Sequence, residues 1–177
     1  MQKEKFYLLI AGGRDFFDYD FLMKKCDFLL QNHKDKDIVI VAGKARGADT
    51  LGEIYALDRG YEFIGKPPDW SIGKIGGILR NQQMADTIKK HKYHACVCFW
   101  DGISTGTKSM RDICIKDNIP YRVYNYERIP ELNTTSIGFS KKGNLYCIFN
   151  NNPLTPLQKS LKIHLDRLKI FNQIIEK

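Results

Sequence analysis

Short apolar segments alternate with longer segments of helical periodicity between residues 6 and 124. The apolar segments have the length and composition of strands buried on both faces: residues 6–11, 37–42, 61–64, 93–100 and 120–124. The segments between them have the spacing of amphipathic helices: residues 19–30, 48–59, 76–91 and 107–116. This alternation predicts an α/β fold with a doubly wound, mostly parallel, Rossmann-like sheet.

The pattern changes after residue 124, so we divide the chain into a sheet domain, residues 1–124, and a C-terminal extension, residues 125–177. Residues 125–143 are polar and lack periodicity, and residues 144–149 could form an edge strand or a hairpin arm. Residues 154–175 have leucines and other apolar residues spaced by three and four, which predicts an amphipathic helix. That helix must bury one face, either on the sheet domain or in a homodimer.

The composition restricts partner and compartment. A formal net charge of +8 predicts a surface that attracts anions such as nucleotides, nucleic acid or an acidic partner. No apolar run approaches the roughly 18 residues that span a bilayer, so we expect a cytoplasmic protein without a membrane partner. The five cysteines lie mostly in apolar segments, which is typical of reduced, buried thiols.

Glycine-rich loops follow three of the predicted strands. In a parallel sheet these loops meet at one crevice, where glycines let backbone N–H groups approach an anion closely. The sequence therefore predicts a phosphate-bearing ligand. The candidate ligand-binding residues lie in these loops, in a proline-stiffened loop and in the third helix: Gly12, Gly13, Arg14, Asp15, Gly43, Ala45, Arg46, Gly47, Asp49, Asp69, Trp70, Arg80, Asn81, Asp101, Ser104, Thr105, Gly106 and Thr107.

Residue types within this set suit particular parts of a nucleotide. Segment 101–107 has two glycines and three hydroxyls and leads into a helix, which makes it the best phosphate cradle. The Arg14 guanidinium suits a phosphate, and the Trp70 ring suits a nucleobase. Structural alternatives remain open: a flexible turn for segment 101–107, a helix cap for Asp49, an exposed helix position for Arg80 and a lid over the core for Trp70.

Metal binding is not expected. His91, His94, Cys96 and Cys98 have the chemistry of metal ligands, but the last three lie in one strand with a spacing unlike that of a zinc knuckle. The GxGxxG dinucleotide fingerprint and the P-loop pattern are also missing from the glycine loops. We therefore expect no metal and no cofactor.

A family resemblance covers about residues 6–124, in order and with matching spacing. The segments that carry it are residues 11–16, 43–49, 69–70, 76–84 and 101–107. They resemble the YspA-type branch of the SLOG superfamily, also known as a domain of unknown function in bacteria and phages. This branch is related to the LOG or lysine-decarboxylase-like proteins and to the DprA-like proteins. The resemblance implies a nucleotide-derived small-molecule ligand, similar to ADP-ribose or a nucleoside phosphate and potentially a signalling nucleotide.

Hydrolysis of nucleotides is one alternative function. The phosphoribohydrolases of the superfamily resemble this chain in an arginine before a methionine, here Arg80 and Met84, and in a Gly-Thr loop, here Gly106 and Thr107. Their loop also has a glutamate three residues after the threonine, where this chain has Met110. An N-glycosidic or phosphoribosyl hydrolase would need another carboxylate. The candidate catalytic residues are Asp15, Asp49, Asp69, Asp101 and Arg80.

Binding of single-stranded nucleic acid, as in the DprA-like proteins, is the other alternative. Segment 45–51 also resembles a loop of that family, and the net charge permits such binding. Nucleic acid is the less favoured partner, because aromatic residues interleaved with basic ones on one surface are not evident.

Overall fold

The computed structural model describes residues 3–128, 135–150, 153–168 and 171–176, the last segment by its backbone alone. The strands in these ranges are β1 Lys5–Gly12, β2 Asp37–Ala42, β3 Glu62–Gly65, β4 Tyr93–Trp100, β5 Tyr121–Asn125, β6 Thr135–Phe139, β7 Leu145–Phe149 and β8 Phe171–Glu176. The α-helices are α1 Tyr19–Leu30, α2 Ala48–Arg59, α3 Ile75–Lys89, α4 Thr105–Lys116 and α5 Pro156–Leu168, and Trp70–Ile72 form a 3-10 turn.

The first five strands form a parallel sheet in the order β3-β2-β1-β4-β5. Helices cover both faces, so consecutive residues of the central strand β1, from Leu8 to Ile10, are fully buried. Leu8 and Ile10 face the core under α1 and α2, whereas Leu9 faces the core under α3 and α4. The predicted doubly wound, Rossmann-like α/β fold is confirmed. The strand order reverses at β1, which places a crevice beyond the carboxyl ends of β1 and β4.

The helix boundaries follow from local chemistry. Asp18 caps α1, because its Oδ1 accepts a hydrogen bond from the N–H of Phe21 at 2.9 Å. Gly60 ends α2 in the left-handed region at φ 68°, where it donates its N–H to carbonyls of the last turn. Such signals explain why the predicted bounds in the sheet domain agree with the structure within two residues.

The C-terminal extension differs from its prediction. The helix expected over residues 154–175 ends at Leu168, and Phe171–Glu176 form β8, which pairs in parallel with β7. The apolar residues at 168, 171 and 175 continue a helical spacing, but the β-branched Ile174 and Ile175 also suit a strand beside the edge of β7. Residues 125–143 showed no periodicity in the sequence, but part of this stretch forms β6, which pairs antiparallel with β7. β7 is therefore an arm of a hairpin, one of the two alternatives for residues 144–149, and it lies at the centre of its sheet and not at an edge. Residues 129–134 of the extension lie outside the described ranges.

The extension packs on the face of the parallel sheet that carries α1 and α2. Apolar residues of β6, β7 and α5 belong to the same core cluster as Leu8 and Leu22: Ile137, Leu145, Cys147, Phe149, Leu161 and Leu165. Polar contacts fix α5 as well, because the Asp20 carboxylate accepts hydrogen bonds from Ser160 and His164. The apolar face of α5 is thus buried within its own chain.

Replacing Leu165 by alanine is expected to lower the free energy of unfolding by about 2–5 kcal/mol, the usual cost of truncating a leucine in a packed core. Leu165 is fully buried, whereas Ile163 on the same helix is 68% exposed, so Ile163→Ala is the matched control. Urea denaturation measures the change, and light scattering should give the wild-type mass for both variants. A changed mass with unchanged stability would mean that α5 forms an interface between chains.

Candidate functional site

A cleft of about 530 Å³ lies at the carboxyl ends of β1 and β4. Its walls come from the end of β1, the loop before α2, the first turns of α3 and the N-terminal turn of α4. Predicted site residues from each of the glycine loops line it: Gly12, Arg14, Ala45, Asp49, Trp70, Arg80, Asn81, Ser104, Thr105, Gly106 and Thr107. The folding of a parallel sheet therefore brings together loops that are far apart in the sequence.

The other predicted site residues do not line the cleft: Gly13, Asp15, Gly43, Arg46, Gly47, Asp69 and Asp101. Several of them support residues that do line it. Gly13 has no room for a side chain, since a Cβ atom there would lie 1.8 Å from the hydroxyl oxygen of Tyr126. The carbonyl oxygen of Gly43 accepts a hydrogen bond from Arg80 at 2.5 Å.

The structure also adds lining residues that were not among the candidates: Ala11, Lys74, Gly77, Ile78, Met84, Ser109 and Arg128. Lys74, Gly77 and Ile78 could have been found, because they lie within one or two turns of Arg80 on α3. Arg128 could not, because it follows β5 in a stretch without periodicity.

The N-terminal turn of α4 supplies backbone donors to the cleft. Asp101 shapes the loop before it by accepting hydrogen bonds from the N–H groups of Ile103, at 3.0 Å, and Ser104, at 2.7 Å. No side chain of the described residues caps α4, because the Ser104 hydroxyl instead meets that of Thr107 at 3.2 Å. The first N–H groups of the helix, from Thr105 onward, therefore have no intrahelical acceptor and lie at the cleft, together with hydroxyls. This arrangement favours an anion.

A buried ion pair closes the floor of the cleft. Nη1 of Arg80 lies 3.1 Å from Oδ2 of Asp49, and the two side chains are 11% and 5% exposed. The same Asp49 oxygen accepts the N–H of Ala45 at 3.2 Å. Burial raises the pKa of the Asp49 carboxyl, and the Arg80 guanidinium only partly offsets that rise. Asp49 thus joins α2, α3 and the loop between β2 and α2.

Arg14 and Trp70 form one side of the cleft mouth. The Arg14 guanidinium lies 5.3 Å from the centre of the Trp70 ring, a cation–π contact. Trp70 is 52% exposed, so its ring is a surface for stacking and not a lid over the core. Gly77 keeps this ring close, because a Cβ atom there would approach it to 3.3 Å.

Arg128 links the end of the sheet to the cleft. Its Nε donates to the Asp15 carboxylate and lies 3.2 Å from Oδ2 of Asp101. Tyr126 donates its hydroxyl to Oδ1 of Asp15 at 2.6 Å. Partial burial alone would raise the pKa of Asp15, but the hydrogen bonds from Tyr126 and Arg128 outweigh it and lower that pKa. Asp15 and Asp101 thus hold Arg128 in place.

The candidate catalytic carboxylates occupy structural positions. Asp15 and Asp101 are paired with Arg128, and Asp69 accepts hydrogen bonds from the backbone and hydroxyl of Ser71. Asp49 is the one carboxylate among the described residues that line the cleft, and it is paired with Arg80. Met110, at the position of the hydrolase glutamate, is fully buried in the core under α3 and α4.

The N-terminus of α2 is occupied by protein groups. Gly47, at φ 76°, donates its N–H to the carbonyl oxygen of Ile137 at 3.2 Å, and Ala48 donates to that of Gly13 at 3.1 Å. Strand β6 of the extension therefore contacts the glycine loop before α2, which contains several of the predicted ligand-binding residues. The α4 turn remains the better anion site.

The described ranges contain neither a cluster of metal-ligand side chains nor a membrane-spanning helix. No group of three or more His, Cys, Asp or Glu side chains there could hold a metal ion. Nor does any helix of these ranges have the length and apolarity to cross a bilayer. The five cysteines are buried and free of disulfides.

Comparison with protein families gives a match for residues 6–73, which correspond to β1 through the 3-10 turn. The matching model is described as YAcAr: YspA, cpYpsA-related SLOG family. This part of the chain is similar to that family. The match confirms the resemblance to the YspA-type SLOG branch, and the parallel sheet agrees with it. No curated protein and no solved structure gives a significant match to the chain.

Similarity to the SLOG family suggests a small-molecule ligand and a nucleotide-related function for a Rossmann-like fold. The matched segment supplies Gly12, Arg14, Asp49 and Trp70 to the cleft, and α3 and α4 beyond the match supply the rest of its walls.

Proposed function

We propose that the cleft binds a nucleotide-derived ligand, similar to ADP-ribose or a nucleoside phosphate, and keeps it intact. The observation that carries this proposal is the charge of the lining. Among the described residues, four cationic side chains, Arg14, Lys74, Arg80 and Arg128, line the cleft together with one carboxylate, Asp49. Asp49 pairs with Arg80, and Asp15 and Asp101 pair with Arg128. Arg14 and Lys74 have no such partner among the described residues, so the cleft keeps a positive surplus near the uncapped α4 turn.

We assign each part of such a ligand to a different part of the lining. A phosphate fits the α4 turn, where N–H groups, hydroxyls and the helix dipole favour negative charge. A nucleobase fits against the Trp70 ring, with Ile78 and Met84 as apolar neighbours in the same cleft. A volume of about 530 Å³ lies within the range of small-molecule sites, roughly 300–1,000 Å³.

Hydrolysis has less support than binding. A glycosidic hydrolase needs a carboxylate that can reach the reacting sugar. Asp49 is 4% exposed and already bonded to Arg80 and Ala45, and Met110 is buried in the core. The lining therefore favours binding without hydrolysis. A homodimer through the last helix, one of the two sequence-based alternatives, is not needed to complete the cleft.

Replacing Arg14 by alanine is expected to weaken the binding of AMP and ADP-ribose by about 1–3 kcal/mol, the range for losing a charge-assisted hydrogen bond. Arg14 is exposed and has no ion pair in the described part of the chain, so thermal unfolding without ligand should barely change. Isothermal titration calorimetry measures the affinities. Arg122→Ala, which removes the same charge from an exposed position on β5, is the matched control.

Equal affinity of wild type and Arg14→Ala would mean that Arg14 does not contact the phosphate of the ligand. The salt dependence of the affinity distinguishes binding of single-stranded nucleic acid from binding of a small ligand. An affinity for nucleic acid that falls steeply between low and moderate salt indicates many phosphate contacts along a strand. A small-ligand cleft should show a weaker dependence.

A further inference from the structure

A second, smaller pocket of about 230 Å³ adjoins the cleft. Its lining residues are Arg14, Lys44, Ala45, Arg46, Pro68 and Trp70. Three of these, Arg14, Ala45 and Trp70, also line the cleft, so the stacked Arg14 and Trp70 side chains stand between the two spaces. A ligand in the cleft can therefore reach the second pocket past this pair.

The second pocket is cationic, and the described part of the chain contributes no acidic residue to its lining. Lys44 is neutralised by Glu53, since its Nζ lies 2.6 Å from a carboxylate oxygen. Arg14 and Arg46 have no such partner in the described ranges, where the nearest polar contact of Arg46 is the Ser136 hydroxyl at 3.4 Å. Two unpaired guanidinium groups that face one small space repel each other unless an anion lies between them.

The C-terminal extension holds Arg46 in this position. The N–H of Gly47 is bonded to Ile137 on β6, which fixes the backbone next to Arg46. The stem of Arg46 packs on Gly138, where an added Cβ atom would lie 3.2 Å from its Cγ. Arg46 is therefore supported from outside the sheet domain and is not a freely moving surface arginine.

We propose that the second pocket binds a second phosphate of the ligand, so that the ligand carries two phosphate groups that are not directly linked to each other. Nucleoside 3′,5′-bisphosphates and cyclic dinucleotides have this chemistry. The pocket volume supports a group and not a whole nucleotide, because it lies below the roughly 300–1,000 Å³ of complete ligand sites. This inference rests on the proposed function, since the first phosphate is the one placed at the α4 turn.

The test compares AMP with adenosine 3′,5′-bisphosphate, which has the same base and sugar and one more phosphate. Calorimetry should show that the bisphosphate binds wild type at least about tenfold more tightly than AMP, the effect of one charge-assisted contact. Arg46→Ala should reduce this affinity ratio to near one. Arg122→Ala, which lowers the net charge equally on β5, should keep the wild-type ratio.

ADP is the second probe, because its two phosphates are directly linked. We expect it to gain less over AMP than the bisphosphate does. An affinity ratio that Arg46→Ala leaves unchanged, while AMP still binds, would overturn the second subsite and leave the proposed function standing. Failure of every probe to bind wild type would overturn both.

Discussion

Replacing Asp49 by alanine is expected to lower the free energy of unfolding by about 3–5 kcal/mol, the usual cost of breaking a buried ion pair from one side. Oδ2 of Asp49 accepts hydrogen bonds from Arg80, at 3.1 Å, and from the N–H of Ala45, at 3.2 Å. The variant leaves a guanidinium that is only 11% exposed without its carboxylate. Chemical denaturation measures the loss.

Two further variants test whether the loss of stability comes from the broken ion pair and not from mutation of an aspartate in general. Asp69→Ala removes an exposed carboxylate that caps only the short 3-10 turn, so its cost should be about 1 kcal/mol or less. Replacing both Asp49 and Arg80 by methionine should recover much of the stability, because no unpaired charge then stays buried. A fully stable Asp49→Ala variant would mean that the pair does not hold the cleft floor.

Replacing Gly106 by aspartate is expected to weaken nucleotide binding at least about 100-fold, because a carboxylate at the α4 turn repels the phosphate at short range. The fold should tolerate the change. A Cβ atom at Gly106 meets no other atom within 4 Å, and an acidic residue in the first turn of a helix is favourable. We expect the free energy of unfolding to rise slightly, by about 0.5–1 kcal/mol.

Gly106→Ala is the matched control, since it adds the Cβ atom without charge. It should keep most of the affinity for AMP and ADP-ribose, measured by calorimetry. Equal binding by wild type and Gly106→Asp would show that the phosphate does not lie at the α4 turn. Loss of folding in Gly106→Asp, seen by circular dichroism, would contradict the open space around this glycine.

The parallel sheet could be predicted because each strand and helix carries its own local signal. Leu8, Leu9 and Ile10 form a continuous apolar run, as a central strand covered on both faces requires. Gly60 follows α2 at the position where a left-handed residue ends a helix. β8 lacked such a signal, since its apolar residues continue the helical spacing of α5, and only pairing with β7 makes it a strand.

Eleven of the eighteen described residues that line the cleft could be predicted from the sequence, but the roles of individual residues could not. Glycines and hydroxyls after strands identified the α4 turn from the sequence alone. Asp101 and Asp15 were both predicted as ligand-binding residues, but in the structure both pair with Arg128. The sequence does not indicate this contact, because Arg128 lies far from Asp15 along the chain. Arg46 and Gly47 were both predicted to bind the ligand. Packing against β6 uses the N–H of Gly47, whereas among the described residues the Arg46 guanidinium makes only a long hydrogen bond to Ser136. Long-range packing of this kind leaves no local pattern.

The most direct test of a retaining nucleotide site is native mass spectrometry of the purified chain, alone and after incubation with candidate ligands. The panel contains NAD, ADP-ribose, cyclic ADP-ribose isomers, AMP and cyclic oligonucleotides, and both the bound mass and the products are analysed. We predict that at least one of these ligands stays intact at a fixed ratio to the chain. Conversion to a free base and a sugar phosphate, or no binding by any member of the panel, would contradict that prediction.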